Sequence, residues 1–268
     1  MLELYHHGSS VCAAKVRLTL AEKKLEWQGH YIDILKGEQF DPEYLRLNPK
    51  AVVPTLVHDG FVLQESTVIC EYIDEVFPDP PLKSETPAAR AKMRLWTKAI
   101  DEILHPMCGE ITFACSHRNT VARLGPERLA RFLASTPPVS VTAGWHERKK
   151  VIVKHGLDAP GIDQSLRLYD TYLGKMETSL AENHWIAGDA YSLADIGLVP
   201  YVNRLDMMNM SAMWTRSRLR VTDWFERVKA MPTFKPQMLD WVPADLTKDL
   251  ATFGAQSWPE VDRILHAA

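Results

Sequence analysis

The run Asn48-Pro-Lys-Ala-Val-Val-Pro54-Thr-Leu-Val-His-Asp-Gly60-Phe-Val-Leu-Gln-Glu65-Ser66-Thr-Val-Ile-Cys70 reads as two short strands about a tight turn, followed by a helix start. Asp59-Gly60 sits between apolar runs. Glycine tolerates the positive φ that the favoured hairpin turn demands. Pro54 stands at the edge of the first strand, where it cannot donate to a ladder and so fixes a turn instead. Beyond Glu65, the residues Val68, Tyr72 and Val76, flanked by Ile69, Ile73 and Phe77, recur at helical spacing, with Ser66 expected in the capping position. A helix N-terminus beside a hydroxyl favours a carboxylate. A free backbone edge near Pro54 and an anion pocket at Ser66 together suit a small extended peptide with a carboxylate.

Working outward, Leu2–Tyr5 alternates like a strand, His6–Ser10 reads as a loop, and Val11, Ala14, Leu18, Ala21 and Leu25 mark a helix face. Lys15, Arg17, Glu22 and Lys23 fall off that face. Within Trp27–Leu35 a second strand is expected at Tyr31-Ile-Asp-Ile34, which makes a right-handed βαβ unit. Residues 77–87 carry four prolines and form a boundary, because proline removes donors and blocks a helix. Past it the strand signals vanish. Helices are expected over Ala88–Leu104, breaking at Pro106 and resuming over Ile111–Cys115, then over Arg123–Leu133, Ile162–Leu180 and Asp223–Ala230. Ser135-Thr-Pro-Pro138 reads as a break, and His146–Lys150 as a solvated basic face. Ser192-Leu-Ala-Asp195 before an apolar run is a helix start in which Asp195 reaches back to the cap. The fold class expected is a mixed α/β domain over 1–80, then an all-helical domain over 88–268.

The 268 residues hold 31 basic and 34 acidic side chains, a net charge of −3, which gives no electrostatic case for nucleic acid or an anionic membrane. There is no long uninterrupted apolar run and no basic-then-apolar leader. Cys12, Cys70, Cys108 and Cys115 form no close pair, so a reducing cytoplasm with free thiols is expected. His6 and His7 lack a third ligand nearby, and no metal is expected.

The pieces Ser9–Leu18, Asn48-Pro with Val53-Pro54, Glu65-Ser66 and Ser192–Asp195, in that order, resemble the cytosolic glutathione transferases. Residues 65–78 and 90–98, with the long 116–160 insertion, look similar to the bacterial β-etherase-like members. The resemblance implies a thioredoxin-like domain, a helical domain and a homodimer, with glutathione as co-substrate and no metal. It implies a cis Val53-Pro54 bond and a Val53 backbone paired with the cysteinyl part of glutathione. Glu65 and Ser66 would take the γ-glutamyl end, and Gln39 the glycyl carboxylate unless it is a solvated loop residue. Val52 stands where a basic residue is usual, so Lys50 is an alternative contact. Asp101 would face a partner's glutathione or be a surface carboxylate.

Only a thiolate attacks. Ser10, at the start of the first helix, is either a plain cap or the hydroxyl that stabilises the glutathione thiolate, with Ser9 as its neighbouring alternative. Cys12 in the first turn is either a small buried residue or a thiolate favoured by the helix dipole. The second-substrate pocket is expected from the loop after the first strand, from Met107, Ile111 and Phe113, and from the tail near Trp241. The function so implied is attack of glutathione on an apolar aromatic electrophile, with β-aryl ether cleavage one version. The alternatives are a non-catalytic glutathione- or ligand-binding protein, or a thiol-disulfide reductase acting through Cys12.

Overall fold

A computed structural model describes residues 1–134 and 144–267. The N-terminal unit runs β1 (Leu2–His6), α1 (Val11–Glu22), β2 (Gln28–Tyr31), α2 (Pro42–Leu47), β3 (Thr55–His58), β4 (Phe61–Leu63) and α3 (Ser66–Val76). The sheet order is β2-β1-β3-β4. β1 pairs parallel with β2 and antiparallel with β3, and β3 pairs antiparallel with β4. This is the thioredoxin-like arrangement expected. Asp59 and Gly60 both take positive φ, 49° and 86°, so the hairpin turn forms where its residues permit it. β2 stops at Tyr31, where the expected strand begins. The Asp33 carboxylate accepts from the backbone N–H of Leu35 and Lys36, which folds that stretch into a turn.

α1 is buried on nearly every side, against α3 and against the helical domain. Lys15, Arg17 and Lys23 are therefore interior rather than solvent-facing, and each is paired. Lys23 meets Asp74 at 2.5 Å. Arg17 donates to the carbonyls of His7, Gly8 and Gln237. His6 and His7 are likewise buried, and burial holds them neutral, down to about 3 and about 4.

From Pro87 onward every described element is helical. Helix α4 (Pro87–Ala99) passes through a π-helical turn at Ile100–Leu104 into α5 (His105–Thr112), and through another at Phe113–His117 into α6 (Arg118–Ala122). The expected break at Pro106 does not occur. The wider turn just before it shifts the hydrogen-bond register, and the helix continues past a residue with no N–H. Then come α7 (Pro126–Ala134), α8 (Trp145–His155), α9 (Ile162–Glu182), α10 (Leu193–Met207), the short α11 (Ala212–Thr215), α12 (Leu219–Lys229) and α13 (Ala244–His266). The expected break at Ser135–Pro138 lies outside the described residues. The basic run is not simply solvated. Arg148 pairs with Glu110, and Lys149 is buried with its ammonium 4.4 Å from the Phe132 ring centre.

α10 forms the centre of the helical core and packs against α1. α13 crosses its C-terminal end at Gly254, where an added Cβ would stand 2.6 Å from Met208 Cα. Backbone cannot yield as a side chain does. Gly254→Ala is expected to cost roughly 2–3 kcal/mol by overpacking. Urea unfolding should show a lower midpoint with an unchanged slope, and an unchanged midpoint would contradict the close crossing.

Candidate active site

The site lies where the first turn of α1 meets the start of α3, the π-turn end of α5 and the middle of α10. Ser10 is the N-cap of α1, and its hydroxyl accepts from the Ala13 N–H at 3.2 Å. The cap role is thus present. Accepting this bond leaves the hydroxyl proton free to donate. Ser9 is tied differently, with its hydroxyl 3.2 Å from His7 Nδ1.

The Val53-Pro54 bond is cis, as the resemblance implies. The Val53 side chain is buried, and among the described residues no hydrogen bond engages its backbone N–H or C=O. At α3 the cap falls one residue earlier than expected. Glu65 is the N-cap, at φ 68° and ψ 103°, and Ser66 is the first helical residue. A glutamate in that left-handed region is strained unless its surroundings hold it there, a pattern that clusters at ligand sites. The Glu65 carboxylate meets Lys50 Nζ at 2.5 Å, so Lys50 is engaged by Glu65 in this structure. Gln39 is buried rather than solvated. Its amide nitrogen donates to the Ile34 carbonyl at 3.3 Å.

Cys12 occupies the meeting point. Its Sγ is 3.5 Å from His105 Nδ1, 3.9 Å from His105 Nε2 and 3.9 Å from the Tyr201 hydroxyl. Burial pushes the thiol up, but the charges of His105 and Lys15 and the hydrogen bonds from His105 and Ser66 outweigh it, bringing Cys12 down to about 6. His105 is raised in turn, chiefly by the facing thiolate. Lys15 is 2% exposed and holds Asp101 Oδ1 at 2.9 Å and Thr67 Oγ1 at 3.2 Å. Asp101 is therefore neither idle nor free, since Thr67 donates to it as well. The other three thiols are buried and raised, Cys70 to about 11 and Cys115 to about 12.

The expected second pocket needs correction. Ile111 is 0% exposed and belongs to the helical core, so it presents no surface to a substrate. Met107 is half-buried on the same helix, and Phe113 packs on Phe132 and Trp145. Trp241 lies edge-on to His6 and near Arg17. His105, Lys15 and Tyr201 are the site residues that sequence reasoning missed. His105 is 93 residues from Cys12, and nothing in its local pattern marks it.

Two family models match the chain: the glutathione S-transferase N-terminal domain over residues 9–76 and the glutathione S-transferase C-terminal domain over residues 139–232. Protein LigF of Sphingobium sp. (strain NBRC 103272 / SYK-6) is 29% identical over 258 residues, covering 92% of this chain and 96% of its own. The tetrachloro-p-hydroquinone reductive dehalogenase of Sphingobium chlorophenolicum is also 29% identical, over 250 residues, covering 87% and 94%. Among solved structures, the β-etherase LigF from Sphingobium sp. strain SYK-6 superposes with a TM-score of 0.79 at 28% identity, covering 88% of this chain and 98% of that one. Glutathione transferase F7 of Populus trichocarpa gives 0.68 at 27% identity, covering 88% and 97%.

Proposed function

The chain belongs to the glutathione S-transferase family, and on that premise we propose that it transfers glutathione to an apolar aromatic electrophile at the meeting point of α1, α3, α5 and α10. The tripeptide lies along the Val53 backbone, with its γ-glutamyl end at Glu65 and Ser66. Its sulfur faces the first turn of α1, where Ser10 offers a hydroxyl proton and Cys12 a thiolate. The glutathione thiolate attacks an aryl carbon that bears halide, or the β carbon of a β-aryl ether. The new C–S bond forms as the bond to halide or aryloxide breaks, and that group leaves with the electron pair. Names among the relatives, a β-etherase and a reductive dehalogenase of a chlorinated hydroquinone, fit an aromatic acceptor with either leaving group. The same reading makes the protein a cytoplasmic homodimer. Exposed Val68 on α3 and Leu95 on α4 supply apolar surface for the second copy.

The observation that carries the proposal is the meeting of His105 and the Tyr201 hydroxyl on Cys12 at the start of α1. It also favours a second reading, thiol-disulfide exchange. The Cys12 thiolate attacks a glutathionyl disulfide, forms Cys12–S–S–glutathione and expels the partner thiolate. A second glutathione thiolate then releases oxidised glutathione and restores Cys12.

The test is turnover of chlorodinitrobenzene, a β-aryl ether and a glutathionyl disulfide by wild type, Ser10→Ala and Cys12→Ser. Transferase chemistry with Ser10 as the donor predicts a roughly 10²-fold fall in conjugation for Ser10→Ala. If Cys12→Ser abolishes disulfide exchange while conjugation survives, the two activities are separate. If conjugation is absent in wild type with every acceptor, the transferase reading fails.

A further inference from the structure

Two basic side chains act on the Cys12 sulfur, and the fold gives them opposite surroundings. Lys15 stands three residues after Cys12 on α1, a spacing that puts both on one face, and it is 2% exposed. Its ammonium is fixed by Asp101 Oδ1 at 2.9 Å and Thr67 Oγ1 at 3.2 Å, and it lies 5.9 Å from the centre of the Tyr201 ring. The negative charges of Cys12 and Asp101 outweigh burial and raise Lys15, so it keeps its proton well past neutral pH.

His105 is the opposite case. It opens α5 directly after the π turn at Ile100–Leu104, and it is exposed. Such turns occur often at functional sites. Its Nδ1 lies 3.5 Å from Cys12 Sγ and 3.3 Å from the Tyr201 hydroxyl. Both protonation states of His105 therefore have a partner in place. As imidazolium, Nδ1 donates to the thiolate. As neutral imidazole, Nδ1 accepts from the Tyr201 hydroxyl, which burial keeps protonated. A group with a partner in each state, open to water and set against the reacting sulfur, is suited to exchange a proton. A sealed ammonium is not. The other titratable groups around the sulfur, Cys70 on α3 and Cys108 on α5, are raised by burial and stay thiols, and Asp101 is the counter-charge of Lys15.

We propose that His105 is the acid–base residue of the thiol chemistry at Cys12, and that Lys15 is the positioning residue that holds the thiolate whichever way His105 is protonated. The inference deepens the disulfide-exchange reading of Cys12 and rests on it. The Cys12 thiolate attacks the glutathionyl sulfur of a mixed disulfide. The new S–S bond forms as the old one breaks, and the electron pair goes to the departing sulfur. That sulfur takes the His105 proton and leaves as a thiol. Another glutathione then gives its thiol proton to the neutral imidazole. Its thiolate attacks the glutathionyl sulfur on Cys12, releases oxidised glutathione and returns the electron pair to Cys12. One proton has passed from glutathione to the departing thiol, with no net change at the enzyme. While Cys12 is covalently occupied, Asp101 balances Lys15, so the buried ammonium keeps a counter-charge throughout.

The test is single-turnover thiol release by the full chain from two glutathionyl disulfides, one releasing an alkyl thiol and one releasing nitrothiophenolate. An alkyl thiolate is a strong base and needs the proton as it leaves, whereas nitrothiophenolate leaves without it. His105→Gln is expected to lower the alkyl-to-aryl rate ratio roughly 10²-fold. The thiolate fraction cancels in this ratio, so altered ionisation of Cys12 cannot mimic the effect. Lys15→Met should keep the wild-type ratio and raise the pH midpoint of Cys12 alkylation by about one pH unit, and Lys15→Arg should restore the midpoint. Asp101→Asn removes the opposing charge at a half-exposed position and should lower the midpoint. Lys15→Met and Asp101→Asn break the same ion pair. Shifts in the same direction would make that pair merely structural and overturn the positioning role. An unchanged ratio in His105→Gln overturns the acid–base role, whether or not Lys15→Met folds. No thiol release by wild type from either disulfide overturns the exchange reading and this inference with it. Release with an unchanged ratio overturns this inference alone.

Discussion

Iodoacetamide is expected to alkylate one cysteine, Cys12, with a rate that climbs from acid to neutral pH and is half-maximal near pH 6. The thiolate is the reacting form, so the rate follows its fraction, low below the titration point and level above it. The midpoint is where the surroundings hold the thiol, at about 6. An unperturbed cysteine titrates near 8.5. At neutral pH Cys12 is then mostly ionised, against a few per cent for an ordinary thiol, a gain of roughly 30-fold in thiolate. Nucleophilicity falls with pKa at a Brønsted slope of about 0.4–0.5, which takes back about tenfold. The absolute rate is therefore only a few times that of a free thiol, and the position of the midpoint is the diagnostic. His105 supplies the largest lowering influence, so His105→Ala should move the midpoint up. Ser66→Ala should raise it less. The buried Cys70, Cys108 and Cys115, all raised, should stay unlabelled. A wild-type midpoint near 8.5 would mean that the His105 contact does not hold in solution.

That prediction turns on a pair of residues that no reading of the sequence could join. The hairpin was legible because Asp59-Gly60 is a local signal: turn geometry depends on the two residues that form it. The helix start at Ser192 was legible for the same reason, as S-x-x-D closes within one turn. The cap at α3 was displaced by one residue because Ser66 satisfies the pattern, whereas Glu65 takes the cap only through a positive φ that glutamate rarely adopts. Pro106 looked like a helix end because the neighbouring π turn, which absorbs it, leaves no mark in the pattern of apolar residues. The 23 residues of α13 went unread, since Trp241, Phe253 and Trp258 are too widely spaced to show a face. The residues expected to contact glutathione were readable as family motifs, but the meeting of Cys12 with His105 and Tyr201 depends on where α1, α5 and α10 cross. Lys15 and Arg17 show the same limit. Their charge implied solvent, and the packing of α1 between two domains put them inside.

The largest loss of stability is expected from Asp195→Ala. Four donors converge on this one fully buried carboxylate. Oδ1 takes the Ile186 N–H at 2.9 Å and the Trp224 indole N–H at 2.9 Å, and Oδ2 takes the Ser192 N–H at 3.0 Å and its hydroxyl at 3.1 Å. The donors come from the loop before α10, from the cap of α10 and from α12, so the carboxylate joins three elements. Alanine leaves buried donors unsatisfied, each at a cost of about 1–3 kcal/mol before relaxation, and the whole should come to roughly 3–5 kcal/mol. For a chain of this size that lowers Tm by roughly 10 °C. Ser192→Ala removes only the cap and should cost about 1 kcal/mol. Asp195→Asn keeps one oxygen for Ile186 and Trp224 but turns an NH₂ towards the Ser192 N–H, so its loss should fall between the two. Urea unfolding of the three variants checks the order, and an alanine loss below about 1 kcal/mol would show that the cluster is not shared by the three elements. Tyr201 lies further along α10 than this first turn. The asparagine variant should therefore unfold more readily yet keep the Cys12 alkylation midpoint near 6, which separates what holds α10 in place from what tunes the thiol.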